Sequence, residues 1–269
     1  MYGFMLFLGI LVAVLLGERL CVRRGLDKQV FWRAVFYTLV FGLLGARLYH
    51  VLHRLDYFTE YPLEILAFWR GGLGIWGAIF GGFFGFLLST KKIGRAESGR
   101  STKSPVSTSK NALAYLDVFA VCAPLAQAIG RWGNYFNKEL FGYTTNLPWG
   151  IYIPPQLRPE QFKYYDTFHP LFLYESVLNL ILFGLLFAIY SRQNLKKPAS
   201  ASGSFALIYL AGYSFIRFAL EFLRPDSWKF LNFPVASIVA LVVFLSSLTL
   251  FFVINIKPNK RQHKKDNSA

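Results

Sequence analysis

The feature that most constrains this chain is a series of long apolar stretches. Tyr2 to Gly17, Leu73 to Ser89, Leu113 to Ile129, Leu171 to Tyr190, Phe205 to Phe222 and Phe233 to Ile256 are largely apolar. Val35 to Gly45 joins them once its flanks, from Phe31 to His53, are included. A helix crosses a bilayer with about 20 apolar residues. Charge is correspondingly scarce: 16% of residues are charged and 54% hydrophobic, whereas a soluble domain carries about 25% charged residues. The expectation is an all-α, polytopic integral membrane protein with about seven transmembrane helices. Residues 1–256 read as a single transmembrane domain with an outer loop at 131–170, and 257–269 as a basic cytoplasmic tail.

The net charge of +15 would suit a nucleic-acid partner, but its distribution does not. If seven helices alternate from an outside N-terminus, segments 18–33, 91–112, 192–203 and 256–269 lie inside and hold 19 of the 29 Lys and Arg residues. The outer segments hold 9, and Arg217 lies within a helix. That bias predicts an outside N-terminus and a cytoplasmic C-terminus. No basic stripe interleaved with aromatics falls on a soluble segment, so no nucleic-acid partner is expected. Residues 1–20 lack the positive region that precedes a signal-peptide core, and their charges follow at Arg19, Arg23 and Arg24, so a retained first helix is expected. Cys21 and Cys122 are too few for a disulfide framework or a thiolate metal site.

The stretches Arg95 to Lys110, Lys196 to Ser204 and Lys257 to Ala269 are polar and low in complexity, as solvated linkers are. Arg131 to Thr167 differs, being rich in Gly, Asn, Tyr, Trp and Pro. A long loop with specific polar groups is where function is commonly carried.

Ionisable groups at membrane depth are costly and point to function. Three glycines and two asparagines interrupt the run from Gly130 to Gly142, around Arg131, Asn134 and Glu139. The planar fork of Arg131 matches a phosphate in two-point contact, and Glu139 could pair with that arginine or take a proton. A snorkelling interfacial arginine is the plainer reading of Arg131 alone; the density of polar neighbours weighs against it. In the sixth stretch Tyr213, Arg217, Glu221 and Arg224 fall within a sector of roughly 80° at about 100° per residue. Arg217 and Glu221 are spaced as an intrahelical pair, and two arginines against one glutamate leave positive charge for an anion. His169, Tyr174 and Glu175 open the fifth stretch, and Arg47 ends the second. Asp117, within the fourth, needs a partner. The glycines from Gly71 to Gly85 suit close helix packing.

Gly130 to Gly142 resembles, at every fixed position, the prolipoprotein diacylglyceryl transferase signature G-R-x-G-N-[FY]-x-N-x-E-x-x-G. His169-Pro170 with Tyr174-Glu175, and the Tyr213, Arg217, Glu221, Arg224 stripe, resemble later motifs of the family; Gly45 to Arg47, Asp117 and the glycine-rich third stretch follow its order. The resemblance implies an enzyme of the bacterial inner (plasma) membrane, multi-pass, with its active site facing the outer leaflet. Such enzymes move the diacylglyceryl group of phosphatidylglycerol to the lipobox cysteine thiol of a prolipoprotein, forming a thioether and releasing glycerol phosphate. Phosphatidylglycerol, the prolipoprotein signal peptide and membrane lipids are the implied partners. No metal and no cofactor are called for. By the same analogy Arg131, Arg217 and Glu139 are catalytic candidates. Arg131, Asn134, Gly142, Arg47, Tyr213, Glu221, Arg224 and Tyr2 are candidates for binding phosphatidylglycerol, with His169, Tyr174, Glu175 and Trp76 as further candidates.

Two positions depart from the family pattern. Trp76 stands where many members have histidine, and tryptophan cannot accept a proton. Glu139, Glu221 or His169 remain as bases, the alternative being a thiol that ionises unaided in a cationic pocket. Few residues precede Tyr2, so the outer N-terminal segment is expected to be short or absent. A transporter reading would favour internal repeats, and none is visible. A membrane alcohol phosphotransferase would need clustered aspartates, and Asp27, Asp56, Asp117, Asp166, Asp226 and Asp266 are scattered.

Overall fold

In the computed structural model, which describes residues 1–91, 108–193 and 203–256, the apolar stretches are helices. These are α1 (Tyr2–Arg23), α2 (Lys28–His53), α3 (Leu55–Glu60), α4 (Ile75–Lys91), α5 (Thr108–Asn137), α6 (Leu171–Arg192), α7 (Ser204–Glu221) and α8 (Val235–Ile256). All but α3 and α4 are long and apolar enough to cross a membrane. The protein is an all-α polytopic membrane protein. The stretch expected as a third span is α4, and its 17 residues extend about 25 Å, somewhat short of a ~30 Å hydrocarbon core. The expected linkers and basic tail lie almost wholly outside the described residues.

The chain forms two compact units, residues 18–115 and residues 1–17 with 116–269. In the first, α2 and α4 pack through glycine. A Cβ on Gly45 would strike the carbonyl oxygen of Gly77, and one on Gly77 would strike that of Gly45. Only residues without a side chain let two backbones approach so closely. Asp27 begins α2 by accepting from the Gln29 amide at 2.6 Å, and the Tyr115 hydroxyl donates to the Asp27 carbonyl at 3.2 Å.

In the other unit α6 and α8 both pack on α7. The Ser176 hydroxyl donates to the Ala128 carbonyl at 2.9 Å, joining α5 to α6. Val118, Val121, Leu171 and Leu186 form the apolar interior. Asp117 finds its partner in backbone: its carboxylate accepts from the amides of Gly203 at 2.7 Å and Ala206 at 3.0 Å. It thereby caps the N-terminus of α7, where orphan N–H groups and the helix dipole favour a negative charge.

The segment between α5 and α6 has its own organisation. Strands β1 (Ile151–Tyr152) and β2 (Thr167–Phe168) pair antiparallel. The Arg158 guanidinium ties the enclosed turn together, donating to the carbonyls of Ile153 and Lys163 and pairing with Asp166 at 2.7 Å. A hairpin of β3 (Lys229–Phe230) and β4 (Phe233–Pro234) precedes α8. Its loop residues Leu231 and Asn232 both have positive φ, as a two-residue primed turn requires.

Candidate active site

The end of α5 shows why the Gly130–Gly142 run is built as it is. The helix continues through Arg131 and Asn134 to Asn137 and then stops in a left-handed residue, Lys138, with φ 55°. The Glu139 amide reaches back to the Asn134 carbonyl at 2.9 Å and that of Lys138 to Tyr135 at 3.2 Å. This is a Schellman closure with lysine where glycine is usual. Leu140 is left-handed as well. Two residues with side chains are thus held in a conformation that favours glycine. The closure folds Glu139 over Asn134, whose amide nitrogen lies 3.3 Å from its carboxylate; Asn137 contributes a second contact at 3.3 Å. Gly142 is pressed between Leu223 and His169: a Cβ there would lie 2.9 Å from the Leu223 carbonyl oxygen. Gly133 is similarly covered by Tyr2.

Arg131 does not pair with Glu139. Its Nη2 donates to Glu175 Oε1 at 2.5 Å and approaches the Tyr213 hydroxyl at 3.4 Å. Tyr213 in turn donates to the same Glu175 oxygen at 3.3 Å. Arg131 Nη1 reaches Asn134 at 3.5 Å. Three helices therefore meet in one polar knot. Glu175 is only 1% exposed, so its charge depends on these partners rather than on water.

One turn along α7, Arg217 pairs with Glu221 at 2.6 Å, as the spacing predicts. Glu221 also holds the Ser227 hydroxyl at 2.8 Å and lies 3.8 Å from Arg224, which approaches Asp226 at 3.3 Å. Tyr213 stands within electrostatic reach of both Arg131 and Arg217. The surplus positive charge expected from that stripe is thus met by Asp226, in the turn after α7. Among the described residues, two buried N–H groups of this cluster lack a partner, Nε of Arg131 and Nε of Arg224.

The His169 and Tyr174 pair forms a separate chain. Trp149 Nε1 donates to the Tyr174 hydroxyl at 2.9 Å, and His169 Nδ1 lies 3.0 Å from the same hydroxyl. Since the indole can only donate, the phenol is free to donate onward to His169. Trp76 lies in the other compact unit, 48% exposed near the start of α4. Arg47 lies there too. Its Nε donates to Ile65 O at 2.9 Å, its Nη1 to Gly71 O at 2.7 Å and Gly72 O at 3.2 Å, and its Nη2 to Glu64 O.

A second polar layer escaped the sequence reading. Gln127, Asn179 and Tyr209 sit one helical turn inward from Arg131, Glu175 and Tyr213 on the same three helices. Tyr209 is hydrogen-bonded to Gln127 and stacks on Tyr213 with ring centroids 6.1 Å apart. Among the described residues, both amide atoms of the fully buried Asn179, and Oε1 of Gln127, have no hydrogen-bond partner. The i, i+4 spacing to Arg131, Glu175 and Tyr213 is the signal that would have revealed this layer.

Apolar helical spans around half-buried, carboxylate-paired arginines define a polytopic membrane protein with a polar cluster inside its helices. Comparison with known proteins gives the particular family. Residues 1–253 match the family model described as prolipoprotein diacylglyceryl transferase. A phosphatidylglycerol–prolipoprotein diacylglyceryl transferase of Thermotoga maritima is 34% identical over 253 residues, covering 94% of this chain and 80% of the relative. A protein of the same name from Trichormus variabilis is 35% identical, covering 89% and 80%. One from Prochlorococcus marinus (strain MIT 9215) is 30% identical, covering 98% and 91%. The chain belongs to the prolipoprotein diacylglyceryl transferase family, and it is a transferase.

Proposed function

We propose that the protein transfers the diacylglyceryl group of phosphatidylglycerol to the lipobox cysteine thiol of a prolipoprotein, the first step of lipoprotein maturation. The observation that carries this reading is the Arg131–Glu175–Tyr213 knot with the Arg217–Glu221–Arg224 stripe beside it. Reaction at the glycerol carbon expels a phosphate oxygen that gains negative charge. Fixed guanidinium groups stabilise that charge more in the transition state than in the ground state. The Nε groups of Arg131 and Arg224, unpartnered among the described residues, leave donors for phosphate oxygens. Asn134, Glu139 and Gly142 shape the head-group side, and Tyr213, Glu221 and Arg224 the facing wall. Tyr2, against Gly133, closes the edge of the site.

The distribution of Lys and Arg supports a site opening toward the outer leaflet of the bacterial plasma membrane, with an outside N-terminus and a cytoplasmic C-terminus. Residues 1–256 then act as one membrane domain, followed by a basic cytoplasmic tail. Arg47, whose donors all go to carbonyls, serves as a positioning residue rather than a phosphate ligand.

The test is transfer of radiolabelled diacylglyceryl from phosphatidylglycerol to a lipobox peptide by the purified protein, with Arg131→Ala and Trp76→His in parallel. Transfer that Arg131→Ala abolishes supports the reading. A faster Trp76→His would mean that a base is missing at that position. No transfer by the folded parent would overturn the reading in favour of anion transport.

A further inference from the structure

Resting on the transfer reading, we propose that Glu175 is the base that takes the proton from the substrate thiol, released for that task when the lipid phosphate replaces it on Arg131.

Four carboxylates line this region; Asp226 is largely exposed beside Arg224, and their surroundings separate the other three. Glu139 is exposed and held by two neutral amides. Glu221 is buried, but it keeps Arg224 and the Ser227 hydroxyl even if Arg217 turns to a ligand. Glu175 is buried, and among the described residues the one cation it pairs with is Arg131. That cation is also the best placed to receive a phosphate. A phosphate drawing the guanidinium away leaves the carboxylate out of water without a countercharge, a state that a proton relieves. The groups facing it are Arg131 from α5 and Tyr213 from α7, with Tyr209 and Arg217 in reach of Tyr213. Its own neighbour Tyr174 is engaged by Trp149 and His169. The Tyr213 hydroxyl donates to Glu175 Oε1 and keeps the carboxyl oriented after the arginine has moved.

The step balances. The thiol S–H bond breaks and its proton goes to Glu175. The thiolate forms the C–S bond at the terminal carbon of the diacylglyceryl group as that carbon's bond to the phosphate oxygen breaks. The electron pair leaves on the phosphate, which becomes a dianion held by the arginines. The proton then passes from Glu175 to the departing phosphate, and the Arg131–Glu175 ion pair re-forms. The resting ion pair is thus the product-release state of the cycle. It also guards Arg131 against adventitious anions.

The experiment measures kcat and the KM for phosphatidylglycerol in the wild type and in Glu175→Gln, from about pH 6 to 9. A positioned base contributes about a hundredfold or more. Glu175→Gln should therefore lose at least about that factor in kcat at pH 7, with the KM for phosphatidylglycerol unchanged or lower. Its residual rate should rise about tenfold per pH unit up to the thiol's own ionisation near ~8.5, while the wild type stays flat over that range. A selenocysteine peptide, already ionised at neutral pH, should restore most of the lost rate. A higher KM with kcat retained, or a loss with the wild-type pH profile and no selenol rescue, would show a merely structural role. If Glu175→Gln fails to fold, the wild-type profile decides: a tenfold rise per pH unit there would mean that no protein base acts. Absence of transfer by the wild type would instead overturn the transfer reading itself.

Discussion

Arg47, buried, and Arg131, half-buried, both lie near helix ends, and the two compact units bond them in opposite ways. Arg47 gives its N–H groups to four backbone carbonyls between Glu64 and Gly72. Those acceptors are fixed parts of the chain and cannot leave. Arg131 gives its strongest bond to a carboxylate side chain, which can. The packing follows the same division. The α2–α4 pair is held by backbone approaching backbone at Gly45 and Gly77, while α5, α6 and α7 are held around side-chain polar groups. An arginine bound to carbonyls builds; an arginine bound to a carboxylate can exchange its partner for another anion.

The largest effect that would break this contrast is at Arg131. Arg131→Ala should remove at least about a thousandfold of transfer activity, beyond the ~10²–10³ of a single oxyanion donor, because binding and leaving-group stabilisation are lost together. It also strands Glu175 as an unpaired buried charge, a loss of about 3–5 kcal/mol in thermal unfolding. Adding Glu175→Gln should recover much of that stability and none of the activity. Were activity to recover as well, the exchange idea would fail.

Next in size is Gly45→Val, which drives two helices apart. Overpacking of this kind costs about 1–3 kcal/mol, and the lowered melting temperature should be matched by Gly77→Val without additivity, since both relieve one crossing. Full additivity would place the glycines in separate contacts. No larger is the effect of Arg47→Ala, expected to cost about 1–2 kcal/mol from freed carbonyls. Limited proteolysis should show it as faster cleavage within residues 55–74, and added phosphate should not reverse it. Protection by phosphate would mean that Arg47 meets an anion after all. The smallest effect is expected for Asn179→Leu. Replacing an amide without partners by an apolar group of similar volume should change stability by less than about 1 kcal/mol in either direction. A larger loss of transfer than of stability would move the second polar layer into the working site.

Much was legible in the chain alone. Apolar runs of about 20 residues permit few alternatives to helices in a bilayer, because no water is available to satisfy the backbone. The Arg217–Glu221 pair follows from a four-residue spacing on one helix and needs no tertiary knowledge. The need of Asp117 for a partner was also legible, since an isolated carboxylate among Val118, Phe119 and Val121 would be too costly. That the partner is the amide end of α7 was not, because backbone N–H groups carry no sequence signature.

What only the tertiary structure decided is who neutralises whom. Counting charges along α7 leaves one in excess, and proximity in sequence suggests Glu139 for Arg131. The carboxylate that pairs with Arg131 arrives from α6, 44 residues further along the chain, at a register set by helix packing. Likewise Arg47 and Arg131 have the same side chain and similar positions at helix ends. Their different duties come from what the folded chain places within 3 Å of each guanidinium, carbonyls in one case and a carboxylate in the other. Sequence fixes which groups are present and which face of a helix they share. A charge out of water is costly unless an opposite charge meets it at hydrogen-bond distance, and only packing decides which groups meet, so the pairing of charges belongs to the fold.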